Sequence, residues 1–498
     1  MKSLLIANRG EIAVRVMRTA RALGIRTIAV YSDADRDALH VETADEAVFI
    51  GASPAAESYL NVEKIIAAAR EHGADAIHPG YGFLSENPRF SNAVRLAGLI
   101  FVGPPHDAMG LLGDKIASRE LAMKHNVPVT PGALLPQATA AQATEAAAKI
   151  GYPVLIKAAA GGGGKGMRIV RSESEVSASL DAARREALSA FGDDAVYLEK
   201  YIENPRHIEF QVFCDDHGNA VHLGERECSI QRRHQKIIEE SPSLALAPEL
   251  RQRMGEAALR IVTAAGYRNA GTVEFLLDSD QFYFLEVNAR LQVEHPVTEM
   301  VTGEDLVAWQ LTVAAGEPLP KKQNEIQWRG HAIECRVYAE DPSTGFLPST
   351  GTIYRLTEPH APGLRIDSGI RDGFEVPLYY DPILSKVICW ADNREAARVR
   401  MLDALRQYVI LGVRTPLNYI QDVLSHPEFI RANMSTHFLA QHFADWRDRL
   451  PTGEALAALL TAASEAKVMA ALDSPVGKVE SHSPWQSLGS WRIAGAGA

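Results

Sequence analysis

Short apolar runs alternate with segments of helical hydrophobic spacing along roughly the first 110 residues. Residues 3–7, 27–31, 75–78 and 100–103 read as strands, and 11–23 and 62–71 as helices. That rhythm predicts a parallel sheet with crossover helices. Such sheets place ligands at the carboxyl ends of strands, where Asn8-Arg9-Gly10 and His78-Pro79-Gly80-Tyr81-Gly82 fall. From 113 to about 201 the pattern is mixed around a glycine-rich insert, and from 205 to about 316 strands and hairpins dominate. A β-rich third unit covers about 336–441 and ends in a helix. There Asp392 stands three residues before Glu395 in a capping pattern, ahead of Leu402, Leu405 and Val409. Beyond 450 an Ala-rich helical stretch, 454–472, gives way to a polar tail with Trp485 and Trp491, which reads as the start of a further folded unit.

Composition narrows the class. A chain of 498 residues with 46% hydrophobic and 23% charged residues is globular and long enough for about three domains. Lys+Arg 51 against Asp+Glu 62 gives −11, so no global positive field holds a nucleic acid or an anionic membrane. No apolar run reaches the ~18 residues of a membrane span. The opening Met1-Lys2-Ser3-Leu4-Leu5-Ile6-Ala7 is too short for a signal-peptide core, so the expected location is cytoplasmic. Cys214, Cys228, Cys335 and Cys389 have no C-x-x-C spacing, which argues against a disulfide framework or a zinc site.

Candidate chemistry starts at the glycines. A strand pattern over 152–157 precedes Gly161-Gly162-Gly163-Gly164-Lys165-Gly166, and 167–171 reads as a second strand. A dinucleotide fingerprint would open a helix and a P-loop would end in Gly-Lys-Ser/Thr, so this loop tips a hairpin instead. Consecutive glycines leave N–H groups free to wrap phosphate oxygens, and Lys157 and Lys165 add charge. A second hairpin is expected from 272–278 and 282–288. Folded about Asp280, it sets Glu274 opposite Glu286, a repulsive pair unless a cation lies between. Carboxylates without His or Cys select Mg²⁺ or Mn²⁺. Continued by period two, Glu286, Asn288, Arg290, Gln292 and Glu294 share one face. The run 225–236 by itself reads as a charged loop; beside a phosphate flap and a metal hairpin its cations could neutralise a triphosphate.

Taken together these segments resemble the biotin carboxylases of the ATP-grasp superfamily, from about Leu4 to about His442. The resemblance rests on Ala7-Asn8-Arg9-Gly10-Glu11-Ile12, the run from His78 through Gly82 to Asn87, the glycine loop, Glu199-Lys200-Tyr201 with Pro205-Arg206-His207, the run from Gln231 to Lys236, and the run from Asn288 to Pro296. It implies a multidomain α/β and α+β fold. Its parts are a parallel α/β pre-ATP-grasp domain (1–112), an ATP-grasp core (113–330) with a glycine-loop lid (about 130–203), a C-terminal biotin carboxylase domain (331–445), and a helical linker opening a further domain (446–498).

Residue by residue, the resemblance implies ATP binding by Lys115, Lys157, Gly162, Gly163, Gly164, Lys165, Gly166, Met167, His207, Gln231, His234 and Lys236. It assigns the adenine segment to Glu199, Lys200 and Ile202. Glu274 and Glu286 match the metal ligands, with Asn288 close by. Bicarbonate falls to Lys236, Arg290, Gln292 and Val293, its deprotonation to Glu294, the biotin enolate to Arg336, and the biotin pocket to Tyr81 and Gly82. The implied reaction activates bicarbonate with ATP as carboxyphosphate and carboxylates biotin. ATP, Mg²⁺ (or Mn²⁺) and biotin are the implied cofactors. No Met-Lys-Met attachment site occurs in the sequence, so the biotin would ride on a separate or missing biotinyl domain, with a carboxyltransferase β subunit as partner. The extension past 445 is similar to α subunits of the methylcrotonyl-CoA or geranyl-CoA carboxylase type, and Ala22 stands where stand-alone subunits often carry a charge in their dimer contact. Two other readings compete: a carbamoyl-phosphate synthetase-like ATP-grasp ligase, and a nucleotide-binding regulator without turnover.

Overall fold

In the computed structural model, β1 (Ser3–Ile6) carries four consecutive buried residues, as a parallel strand covered on both faces requires. With β2 (Arg26–Ser32), β3 (Glu46–Gly51), β4 (Ala76–His78) and β5 (Ile100–Phe101) it forms a parallel sheet of order β3-β2-β1-β4-β5. The described residues are 1–135, 138–158, 167–191, 194–233, 235–449 and 461. Contacts gather Met1–Arg447 into one compact unit, which holds the elements described here. Helix α1 (Gly10–Ala22) turns Ile12, Ala13, Val16, Met17 and Ala20 into the core at helical spacing. The one strand of this sheet that the hydrophobic pattern did not reveal is β3, whose edge position leaves it mostly half-exposed.

A second, antiparallel sheet has the order β6-β9-β7-β8, built from β6 (Gly132–Leu135), β7 (Val154–Ala158), β8 (Arg168–Val170) and β9 (Val196–Lys200). The pairing of Val154 with Val170 and Ile156 with Arg168 makes 154–170 the expected hairpin. The glycines 161–166 at its tip lie outside the described residues.

The third sheet positions the site. It contains β10 (Arg206–Cys214), β11 (Ala220–Arg232), β12 (Gln235–Ser241), β13 (Asn269–Asp278), β14 (Gln281–Asn288) and β15 (His331–Tyr338), then strands Ile383–Ala391 and Leu364–Ser368. Their order is β14-β13-β10-β11-β12-β15, followed by Ile383–Ala391 and Leu364–Ser368, antiparallel throughout. The charged run 225–236 is therefore strand and turn with a buried start, and not a loop: β11 crosses the middle of the sheet, and its charges are paired inside.

Four sequence expectations need correction. The β13–β14 turn is two residues long, with Asp278 paired to Gln281, and a bulge between Glu274 and Phe275 restores the facing of Glu274 and Glu286. The strand then stops at Asn288, so the polar stripe 290–294 is carried by non-strand backbone that leads into helix His295–Thr302, with Glu294 as its N-cap residue. The cap of helix Arg394–Gln407 is Asn393, which accepts from the Ala396 N–H at 2.9 Å, while Glu395 pairs with Arg398. Val409 lies beyond that helix, exposed at the start of a short strand. The expected helix 454–472 and the Trp tail fall outside the described residues, apart from Thr461. Among the described residues no helix is long and apolar enough to cross a membrane.

Candidate active site

Register sets the first row of charge. Glu286, Glu274, Glu209 and Arg226 are successive cross-strand neighbours on β14, β13, β10 and β11, so they leave the sheet on one face. Three adjacent carboxylates repel, and the cations over them answer that cost. Lys236 Nζ donates to Glu209 Oε2 at 2.5 Å, Glu274 Oε1 at 2.8 Å and Glu294 Oε1 at 2.7 Å. Arg226, fully buried, donates to Glu209 at 2.5 Å, Gln211 at 2.9 Å, Thr298 at 2.9 Å and Thr272 at 3.0 Å. His207 Nε2 lies 3.0 Å from Glu274. Burial would lift Glu274 and Glu294; Lys236 and His207 at Glu274, and Lys236, Arg336 and Arg226 at Glu294, outweigh it and hold both well below the carboxylate range.

Glu286 behaves oppositely. Burial, then the charge of Glu274 across the ladder, raise its carboxyl, and Lys115 and His207 offset only part of that. Asn288 donates its amide N–H to Glu274 at 2.9 Å, leaving its oxygen to Arg290. Two facing carboxylates, one of them under-compensated, and an amide oxygen form an all-oxygen donor set that suits a hard divalent cation such as Mg²⁺. The clusters His207-Glu209-Glu274 and Glu209-Cys228-Glu294 are also close enough for a metal, but Lys236 already fills that space with its own charge.

A cavity of about 690 Å³ opens beside this row, with Lys115, Lys157, Glu199 and Glu286 among its charged walls and Leu276 and Phe284 among its apolar ones. Lys157 Nζ meets Glu199 at 2.7 Å. Lys200 turns to the backbone instead, donating to Gly151 O at 3.0 Å and Tyr152 O at 2.9 Å, and Ile202 is buried. Gln231 is the cross-strand partner of Lys236, and Met167 is partly exposed. Gly162, Gly163, Gly164, Lys165, Gly166 and His234 lie outside the described residues.

A second cavity, of about 300 Å³, is where the ends of β1 and β4 meet the large sheet; Tyr81, Gly82, Arg290, Val293 and Arg336 all line it. Arg290 is fixed on several sides, donating to Glu86 at 2.9 Å, Gln292 at 2.7 Å and Asn288 at 3.0 Å. Arg336 donates to Glu239 at 2.5 Å and to Glu294 Oε2 at 3.0 Å. Glu294 is thus a buried carboxylate wedged between Lys236 and Arg336. An anion that drew those cations away would raise its basicity, which is what a general base needs.

Glu86, Glu209 and Arg226 support this arrangement and were not singled out from the sequence. Glu209 follows His207 by two in a strand and could have been read from period two. Glu86 carries no such signal, since its partner Arg290 is 204 residues away.

Three family models match the chain in series: the biotin carboxylase N-terminal domain over residues 1–109, the carbamoyl-phosphate synthase L chain ATP-binding domain over 114–322, and the biotin carboxylase C-terminal domain over 334–441. The chain is 52% identical over 456 residues to the mitochondrial methylcrotonoyl-CoA carboxylase subunit alpha of Rattus norvegicus, covering 91% of this chain and 63% of that protein. It is 51% identical over 439 residues to a biotin carboxylase of Nostoc sp., covering 88% of this chain and 98% of the other. The solved biotin carboxylase domain dimer of Hydrogenobacter thermophilus 2-oxoglutarate carboxylase, in complex with MgADP, ADP and bicarbonate, superimposes with a TM-score of 0.84 at 46% identity, covering 90% of this chain and 99% of that one. The carbamoyl-phosphate synthase kinship is confined to the middle segment, whereas both flanks match biotin carboxylase domains. With family models matching nearly the whole of Met1–Arg447 and a large sheet that joins the second and third matched segments, the chain belongs to the biotin carboxylase family.

Proposed function

We propose that this chain carboxylates biotin at the expense of ATP and bicarbonate, as the first half-reaction of an acyl-CoA carboxylase of the methylcrotonoyl-CoA type. The observation that carries it is Glu294 held between Lys236 and Arg336, with Arg290 and Tyr81 on the same small cavity. Arg290, locked by Glu86, Asn288 and Gln292, holds bicarbonate against Val293. Glu294 takes its proton, and a bicarbonate oxygen attacks the γ-phosphorus as ADP leaves, giving carboxyphosphate. Lys115, Lys157, His207 and Lys236 offset the phosphate charge. A divalent cation, Mg²⁺ or Mn²⁺, held by Glu274, Glu286 and Asn288 would supply charge neutralisation at the triphosphate. Carboxyphosphate then yields CO₂ and phosphate, phosphate accepts the ureido proton of biotin, and Arg336 steadies the enolate oxygen while nitrogen attacks CO₂. Glu199, Lys200 and Ile202 contact the adenine.

The proposal keeps the division 1–112, 113–330 with a lid at about 130–203, 331–445 and 446–498. It adds a biotinyl carrier domain and a carboxyltransferase β subunit as partners and places the enzyme in the cytoplasm. Bicarbonate labelled with ¹⁸O tests the chemistry. One labelled oxygen per turnover should appear in the released phosphate, and phosphate without label would overturn the carboxyphosphate route.

A further inference from the structure

The β12–β15 ladder sets Glu239 directly opposite Glu334, so both side chains leave the sheet on the same face with Cβ atoms about 5 Å apart. Both residues are 0% exposed. Helix His295–Thr302 closes that face, its Val297 and Val301 packing with Ala332 and with Ile388, the residue opposite Glu334 on its other side. One oxygen of Glu239 accepts from Arg336 Nε at 2.5 Å. Its other oxygen, and both oxygens of Glu334, meet no donor among the described residues.

Buried acceptors are not left in that condition without a reason. The cations nearby are committed elsewhere. Arg336 serves Glu239 and Glu294, and Lys236 serves its three carboxylates. Lys386 Nζ donates to Val293 O at 2.9 Å and lies 3.3 Å from Glu11 and 3.9 Å from Asp367. His295, at the start of the covering helix, directs its Nδ1 to Gln292 O. What the pair lacks is a donor, and one proton supplies it.

We propose that Glu334 and Glu239 share a single proton, Glu334 donating to the open oxygen of Glu239, and that this buried acid pair is a positioning device for Arg336. Two directly opposed carboxylates cannot both stay ionised in such a place. In agreement, burial and the neighbouring carboxylates hold Glu239 up near 7 and Glu334 well above the ordinary range, with Lys386 and Arg336 offsetting only part. The groups facing the pair are Arg336 from β15, Lys386 from Ile383–Ala391, Glu294 from the helix start and Lys236 from β12. The consequence lies at Arg336, which already touches the carboxylate of Glu294. A doubly ionised pair would set two negative charges against the guanidinium, whereas the shared proton leaves one, so that Arg336 is held less tightly away from the cavity. This consequence rests on the proposed role of Arg336 at the biotin enolate.

Infrared difference spectra of the full chain give the direct test. Wild type should show a protonated-carboxyl C=O stretch near neutral pH that Glu334→Gln removes; absence of such a band overturns the shared proton. Glu334→Gln keeps a permanent donor, so its biotin-dependent ATP turnover should stay within about twofold of wild type while losing the wild-type fall on the alkaline side. Glu334→Met removes the donor and should cut biotin-dependent turnover about tenfold, with the KM for ATP and the turnover that needs bicarbonate alone unmoved. Equal behaviour of the Gln and Met variants overturns the positioning role, and if Met does not fold the infrared comparison still decides. Unchanged biotin-dependent turnover in Arg336→Ala would instead refute the role of Arg336, while leaving the infrared result intact.

Discussion

Replacing Lys236 by methionine keeps the stem and removes the one ammonium that touches Glu209, Glu274 and Glu294. Lys236 is only 11% exposed, and its partners are at most 6% exposed, so solvent does little to replace it. Breaking a buried ion contact from one side costs about 3–5 kcal/mol. The unit Met1–Arg447 at about 2.1 cal/mol/K per residue has an unfolding entropy near 0.9 kcal/mol/K, so Tm should fall by about 3–6 °C. In the wild type, Glu274 and Glu294 sit below their unfolded values against the pull of burial. They therefore add stability at neutral pH that is lost only as pH drops through their depressed folded values. Without Lys236, burial lifts them instead, and the native state keeps protons that the unfolded chain has shed. The variant's deficit then widens with rising pH, by about 1.4 kcal/mol per unit for each proton retained, until the new folded value is passed. Calorimetry of ligand-free wild type and variant from pH 5 to 8 measures this directly. A deficit independent of pH, or larger at acid pH, would refute the electrostatic account.

Other perturbations probe separate parts of the site. Glu286→Gln removes a carboxylate whose folded value is raised by burial and Glu274; the ligand-free protein should gain about 1 °C in Tm while the KM for MgATP rises, and a thermal loss would contradict the repulsion. Glu86→Gln loosens Arg290, but Glu86 is 41% exposed, so the effect should be only about fivefold on the KM for bicarbonate, with the KM for ATP unchanged. Glu11 is lifted to about 7, first by burial and only partly opposed by Lys386. Its native proton should make wild-type stability decline between the unfolded value and pH 7, a slope that urea titrations of Glu11→Gln should lack.

Much of this was legible because strand alternation and hairpin folding are local rules. The pairing of Glu274 with Glu286 follows from counting about Asp280, although the structure reaches it through a shorter turn and a compensating bulge. The run 225–236 misled because a sequence dense in charge looks solvated, whereas Arg226 is paired within the sheet and Glu225 is buried against Arg251 of helix Pro248–Ala264. Counting also cannot show where a strand stops: Gln292 and Glu294 join the site through non-strand backbone, not by period two. Long-range ties such as Glu86 with Arg290 or Arg9 with Asp35 depend on topology and have no local signature. The acid pair Glu239–Glu334 is of that kind, arising only where β12 and β15 become neighbours.

In the proposed mechanism Glu294, between Lys236 and Arg336, makes ATP cleavage depend on bicarbonate and biotin together. Phosphate release from MgATP should be measured with and without bicarbonate, and with and without free biotin, for wild type and Glu294→Gln. Release should require bicarbonate and rise with biotin in the wild type, and fall by about 10²–10³ in Glu294→Gln. Release indifferent to both substrates, or unchanged in Glu294→Gln, would contradict it.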